Sequence, residues 1–284
     1  MRYDARMATG RLRASIGVVV LLLCAVTGTA RAAEPPALAK ARALYNEGNY
    51  EGAIDAAAVA RRQAGWADPS ALVIGRSYIE LYRQRADAKD LEAAREAFTA
   101  IHLAALMPRD RVELFIGLGL SLYHGEKYGA AADLFDTALT QASLLSAKDR
   151  LLLLDWWATA LDREAQTRPA DRRRALFDRI AARMSEERRQ DPGSSVANYW
   201  LAVAARGAGD LEAAWDAAVA AWVVSTLSPE TAESLRADLE RLVQQALIPE
   251  RSRLMARDPQ EAVASLRAEW ELVKQQWPTR PDPR

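Results

Sequence analysis

Side chains that commonly carry catalysis are few in this chain and form no recognisable catalytic motif. The sequence has two histidines, His102 and His124, which lie 22 positions apart, and one cysteine, Cys24. It contains no Gly-x-Ser-x-Gly elbow, no phosphate-binding Gly-rich loop and no His-Glu-x-x-His motif. Neither histidine has further ligands at metal-binding spacing. We therefore expect no catalytic residue, no metal and no cofactor, although two of the many carboxylates could still meet in space as a hydrolase pair.

Tryptophan offers a second kind of ligand chemistry, because exposed indoles stack on sugars or anchor peptides. Trp156, Trp157, Trp200, Trp215 and Trp222 all fall in the second half of the chain. Trp215 and Trp222 are seven positions apart, which is a helical spacing typical of a core face. The pattern therefore favours a structural role, with Trp156 the best candidate for exposure because its neighbour Trp157 takes the buried face.

The charge of the chain argues against nucleic acid as a partner. The 38 basic residues are balanced by 38 acidic ones, and removal of residues 1–32 would leave 33 basic and 37 acidic residues, a net charge of −4. The arginine runs 172–174 and 188–189 flank Glu186 and Glu187, a mixture that is typical of a solvated helix face. Phosphate binding requires a more concentrated positive charge.

Residues 1–32 have the pattern of a secretory signal peptide. Four arginines precede the apolar stretch Ile16–Thr27, which is followed by the small-x-small sequence Ala30–Ala32. The apolar stretch is shorter than the roughly 20 residues of a membrane-spanning helix. We predict an exported protein, periplasmic or secreted, with no transmembrane segment after cleavage. A retained anchor and lipidation at Cys24 stay open as alternatives, although Leu23 is larger than the residue that normally precedes a lipidated cysteine.

The rest of the chain predicts an all-α fold built from repeated helical hairpins. A first helix ends in a small residue and a packing residue three positions later: Ala41 and Leu44, Gly75 and Tyr78, Gly119 and Leu122, Ala202 and Ala205. A second helix has packing residues at offsets of three, seven and ten from its start: Tyr50-Ala53-Ala57-Ala60, Leu91-Ala94-Phe98-Ile101, Tyr128-Ala131-Phe135-Ala138, Leu211-Ala214-Ala218-Ala221. These offsets share one helical face, and Gly48, Gly125 and Gly209 supply turns between the helices.

The spacing of equivalent residues predicts one further, degenerate hairpin. Ala53, Ala94 and Ala131 are 41 and 37 residues apart, whereas Ala131 and Ala214 are 83 apart, about twice as far. The intervening copy has Trp157, Ala158 and Leu161 in its first helix, residues 167–170 in its turn, and Ala175, Ile180 and Ala182 in its second helix. The sequence therefore predicts about five hairpins.

The stretch Ala41–Ile54, centred on its Gly48 turn, resembles the tetratricopeptide repeat (TPR) family, and residues 118–138 and 199–221 are similar. The resemblance covers residues 36–225, with periods longer than the usual 34 residues and an extension at residues 78–90. It implies a TPR-like α-solenoid in which the first helices line a concave groove that binds extended or helical peptides.

The groove face is the side of each first helix turned away from the packing residues. On a helical wheel this face selects Arg42, Tyr45, Asn46, Arg76, Ile79, Glu80, Leu120, Tyr123, His124, Thr159, Asp162, Arg163, Tyr199, Val203 and Arg206. Arginine and tyrosine are enriched there, as they are at binding hot spots.

The domain prediction is a signal peptide at 1–32, a repeat domain at 33–227, a C-terminal helical cap at 228–277 with breaks at Pro249 and Pro259, and a disordered tail at 278–284. The functional prediction is a non-catalytic cell-envelope scaffold that binds a protein or peptide partner in its groove. One alternative is a cell-envelope enzyme or carbohydrate-binding accessory protein that uses the tryptophan-rich second half. Another is a structural subunit that self-associates through the ends of the stack.

Overall fold

Every regular element in the described part of the chain is helical, as the repeat pattern predicts. The computed structural model describes residues 33–227, 229–255 and 258–278, except for the side chains of residues 227, 229–232 and 259. The predicted leader at 1–32, with Cys24, and residues 279–284 of the predicted tail lie outside these ranges. Residues from Pro35 onward form one compact unit.

The helices, in chain order, are α1 Pro36–Asn46, α2 Tyr50–Ala60, α3 Ala67–Arg85, α4 Ala88–Thr99, α5 Pro108–His124, α6 Tyr128–Leu139, α7 Ala147–Gln166, α8 Ala170–Gln190, α9 Ser195–Gly207, α10 Leu211–Val224, α11 Pro229–Leu242, α12 Ile248–Met255 and α13 Pro259–Gln276. None of the described helices is both long and apolar enough to cross a membrane.

Sequential helices pack as adjacent pairs. The pairs α1/α2, α3/α4, α5/α6, α7/α8 and α9/α10 match the five predicted hairpins, including the degenerate fourth. The second helix of each pair also packs on the first helix of the next pair, and α3 touches both α1 and α5. Because these contacts are between neighbours along the chain, they leave one side of the first helices free to face a common space.

Two small-residue positions of the repeat pattern are required by close packing. Gly75 of α3 and Gly117 of α5 both lie against the Phe98 ring, and Gly119 lies against the Phe135 ring. A Cβ atom at any of these glycines would overlap the facing ring. The sequence identified Gly75 and Gly119 as helix contacts, and the structure confirms them.

Four of the five hairpin turns use a left-handed residue, which is not always a glycine. Gly48 and Gly209 have φ values of 79° and 88°, as a turn-forming glycine allows. In the third hairpin Gly125 has φ −88° and Glu126 is the left-handed residue, with φ 60°. Ala86 takes this role in the second hairpin, with φ 53°. Gly125 nevertheless lies in the turn between α5 and α6, as predicted.

The fourth hairpin buries a different face of α8 from the one predicted. Ile180 is fully buried, but Ala175 and Ala182 are exposed, and Phe177 and Met184 are the other large side chains in the core. These three large residues recur at helical spacing and outweigh the alanines, because burying larger apolar surface is worth more free energy.

The C-terminal segment is helical, as predicted, and packs on the last repeat. The predicted break at Pro249 was wrong: the π-helical turn Val243–Leu247 joins α11 to α12, which contains this proline. A wider turn accommodates a proline, which cannot donate the usual backbone hydrogen bond. Pro259 begins α13, as predicted, and the fully buried Trp270 of α13 packs edge-on against Trp215 and Trp222 of α10.

Candidate binding cleft

The first helices of the first four pairs line one cleft of about 460 Å³. It receives side chains from α1, α3, α5, α7 and the turn before α7, and from no second helix of a pair. The lining residues of α3 include Val73, Arg76, Glu80 and Arg83, whose spacing of three and four places them on one helical face. Helical periodicity places one face of each first helix in the core and therefore places another face along the cleft.

Ion pairs between different helices fix the polar part of the cleft. Arg42 of α1 donates to the buried Asp110 at the start of α5, with nitrogen–oxygen distances of 3.1 and 3.2 Å. Arg76 of α3 pairs with Glu113 of α5, which also accepts from Arg109 at 3.3 Å. These bonds hold three first helices in a fixed relation, and charged pairs of this kind are stronger than neutral hydrogen bonds.

Tyr45 connects the α1 and α3 sides of the cleft. The Arg76 guanidinium lies over the Tyr45 ring, 4.4 Å from its centroid. Burial raises the pKa of Tyr45, which keeps the phenol neutral, and Arg76 opposes this shift. Burial acts to lower the pKa of Arg76, but Glu113 and Tyr45 outweigh it and the net direction is upward. Arg76 therefore stays cationic and is held by one carboxylate and one aromatic face.

The α5 and α7 side of the cleft is mainly apolar. Ile116 and Leu120 from α5 lie near Leu145, Leu152 and Trp156. Leu152 is 42% exposed and Trp156 is half-buried, so both present apolar surface to the cleft. The cleft thus offers apolar anchors on one side and fixed charged groups on the other, a combination found in peptide-binding surfaces.

Seven of the predicted groove residues line this cleft: Arg42, Tyr45, Asn46, Arg76, Ile79, Glu80 and Leu120. Sequence reasoning missed Val73, Arg83, Arg109, Glu113, Ile116, Gly117, Leu145, Asp149, Leu152 and Trp156. A helical wheel extended through the whole of each first helix finds most of them. Glu113 and Ile116 precede Leu120 by seven and four positions, and Leu152 precedes the predicted Thr159 by seven.

Tyr123 and His124 lie at the end of α5 and do not line the cleft. Tyr123 packs against Tyr128, with ring centroids 5.3 Å apart, and His124 packs against Tyr82 at 4.9 Å. Burial lowers the pKa of His124, and the nearby positive charge of Arg83 adds to this effect. Tyr123 therefore packs within the third hairpin, and His124 packs between the second and third hairpins.

The remaining predicted residues also lie outside the cleft, and two of them face the C-terminal helices. Arg206 forms an ion pair with Glu250 of α12, with a nitrogen–oxygen distance of 3.0 Å. Tyr199 is near enough to Asp238 of α11 for that charge to raise its pKa further, after the main effect of burial. Val203 is buried, Thr159 and Asp162 are half-buried and Arg163 is exposed. The packing of α11 and α12 near Tyr199 and Arg206 was not part of the groove prediction.

Four of the five tryptophans singled out in the sequence are structural. Trp157, Trp200, Trp215 and Trp222 are at most 8% exposed. The indole N–H groups of three of them donate to protein oxygens: Trp200 to Asp155, Trp215 to Glu269, and Trp222 to the backbone carbonyl of Trp277. The interpretation as core residues is confirmed, and Trp156 is the partly exposed one, as predicted.

No known protein-family model, curated protein or solved structure matches this chain. Across the described residues, no group of three or more His, Cys, Asp and Glu side chains is arranged to hold a metal ion. The functional argument therefore depends on the geometry and chemistry of the cleft.

Proposed function

We propose that this chain is a TPR-like α-solenoid that works as a non-catalytic scaffold of the cell envelope and binds a peptide segment of a partner protein in the cleft. The observation that carries the proposal is the origin of the cleft: its lining comes from successive first helices, the surface through which repeats of the resembling family bind peptides. The location outside the cytoplasm rests on the leader-like sequence of residues 1–32.

The arrangement of the cleft suits recognition of a short amphipathic segment. Leu152 and Trp156 offer partly exposed apolar surface, and Arg76 and Glu113 offer a donor and an acceptor already held in place. Because these charged groups are ordered before binding, a ligand loses less free energy in fixing them. Apolar side chains of the ligand would provide most of the binding free energy, and the ion pairs would set its register.

The carboxylates of the cleft are engaged in ways that favour binding over proton transfer. Glu113 is bonded to two arginines, and Glu80 accepts from Arg83 at 2.9 Å. Asp149 accepts from the Ser146 hydroxyl at 2.7 Å in the cap of α7. A general acid or base must exchange protons with its substrate, and a carboxylate bound to a guanidinium does so poorly.

The proposal can be tested by selecting a random peptide library against residues 33–284, which include the whole compact unit. Selected peptides should bind the wild type and lose at least about tenfold in affinity when Leu152→Glu places a charge in the cleft. Leu103→Glu is the matched control, since Leu103 is similarly exposed, at 44% against 42%, and lies outside the cleft. Failure to enrich any peptide, or equal binding by the Leu152→Glu variant, would contradict the proposal.

A further inference from the structure

A second pocket, of about 500 Å³, lies between α6, α7 and α8. Arg150, Leu154 and Trp157 border it from α7, and their spacing of four and three places them on one helical face. Leu139 of α6 and Ala182 of α8 are among its other apolar lining residues. The volume is within the range of small-molecule sites. The pocket shares no lining residue with the cleft and is therefore a separate site.

Trp157 brings to this pocket a hydrogen-bond donor without an acceptor. Its side chain is fully buried, and its indole Nε1 has no hydrogen-bond partner among the described residues. Trp200, Trp215 and Trp222 show the usual arrangement, since each of their indole N–H groups donates to a protein oxygen. A buried donor that lacks an acceptor costs free energy. A molecule that supplies an acceptor to Trp157 would recover that free energy.

Two arginines of α8 lie over the indole of Trp157. The guanidinium carbons of Arg183 and Arg179 are 4.7 and 5.7 Å from the ring centroid. Both side chains are only partly buried, with exposed fractions of 36% for Arg183 and 41% for Arg179. Long arginine side chains of this kind can change rotamer without disturbing the core. They are therefore the groups that a ligand would displace to reach the indole.

The charges that border the pocket do not require a charged ligand. Every charged side chain of the lining is in an ion pair: Arg150 with Glu187, Arg179 and Arg183 with Asp136 of α6, and Glu186 with Arg189. An ionised ligand would have to compete with one of these pairs, whereas an uncharged ligand would leave them in place. The lining therefore favours an uncharged molecule.

We propose that this pocket binds a small, uncharged, apolar molecule that carries a carbonyl or similar hydrogen-bond acceptor. The acceptor bonds to the indole N–H of Trp157, and the apolar body packs against Leu139, Leu154 and Ala182. Such a donor selects among ligands, because an analogue without the acceptor leaves the buried N–H unpaired. The inference is independent of what the cleft binds.

Titration of residues 33–284 with acetophenone and ethylbenzene tests the proposal, because the two molecules are similar in size and only acetophenone has a carbonyl oxygen. NMR of the indole N–H groups reports binding at Trp157, whose resonance is identified by its loss in Trp157→Phe. Acetophenone should shift this resonance downfield in a saturable manner and bind about fivefold more tightly than ethylbenzene, as one hydrogen bond provides. Trp157→Phe should bind both molecules with similar affinity in ligand-observed NMR.

Ala182→Phe and Ala175→Phe provide a matched pair of variants on α8. Both alanines are exposed, they lie seven positions apart on one helical face, and only Ala182 lines the pocket. Ala182→Phe fills the pocket and should lower the affinity for acetophenone at least about tenfold, whereas Ala175→Phe should bind like the wild type. The absence of a saturable shift at Trp157, equal affinity of the wild type for the two molecules, wild-type binding by Ala182→Phe, or an equal loss in Ala175→Phe would each overturn the proposal.

Discussion

Replacing Gly75 by alanine should destabilise the fold through one specific contact. The new methyl group would overlap the Phe98 ring, which also lies against Gly117 of α5, so the ring has little room to move away. Overpacking of this kind costs about 1–3 kcal/mol, whereas alanine gains about 1 kcal/mol over glycine in a helix. The net loss of unfolding free energy should therefore be about 0–2 kcal/mol.

The overlap can be isolated with a double-mutant cycle. Phe98→Ala removes all the ring atoms that the methyl would meet, so in that background Gly75→Ala should instead stabilise by about 1 kcal/mol. The coupling between the two substitutions should be about 1–3 kcal/mol, which urea unfolding followed by circular dichroism resolves. A coupling below about 0.5 kcal/mol would refute the packing argument.

Two further pairs of substitutions test the turns and the half-buried imidazole of His124. Ala86→Gly and Glu126→Gly should each raise the unfolding free energy by roughly 1 kcal/mol in urea titrations, because only glycine adopts a positive φ without strain; unchanged stability would count against this. Because the pKa of His124 is lowered in the folded state, the unfolded chain gains the proton first and stability should fall as pH decreases below about 6.5. His124→Phe should reduce this loss between about pH 7.5 and about pH 5.5, and the exposed His102→Phe should keep it; equal loss in both variants would contradict the assignment.

The paired helices were predictable because they depend on local sequence rules. In the second pair a small residue, Gly75, lies against a large one, Phe98, and both belong to the packing faces that the sequence predicts. The buried face of α8 was harder to predict from the sequence, since its 21 residues offer more than one apolar face. Alanines at 175 and 182 fit the repeat pattern, but Phe177 and Met184 bury more apolar surface and decide which face turns inward.

The extent of the cleft was less predictable than the helix faces that line it. Arg42 and Asp110 are 68 residues apart, and their pairing depends on how three hairpins stack. The same is true of Arg206, whose partner Glu250 lies on a helix beyond the repeats. Helical periodicity gives the side of a helix that faces outward, but it does not say which other segment covers that side.

The three indoles of Trp215, Trp222 and Trp270 give the C-terminal helix an optical signature. The ring centroid of Trp270 lies 6.0 Å from that of Trp215 and 5.2 Å from that of Trp222, with interplanar angles of 66° and 71°. Chromophores this close and strongly inclined couple their electronic transitions, which produces intense bands of opposite sign in circular dichroism. Trp270 comes from α13 and the other two from α10, so these bands would vanish when α13 detaches even if every helix stayed folded. The chain therefore carries an intrinsic spectroscopic reporter for the docking of its last helix.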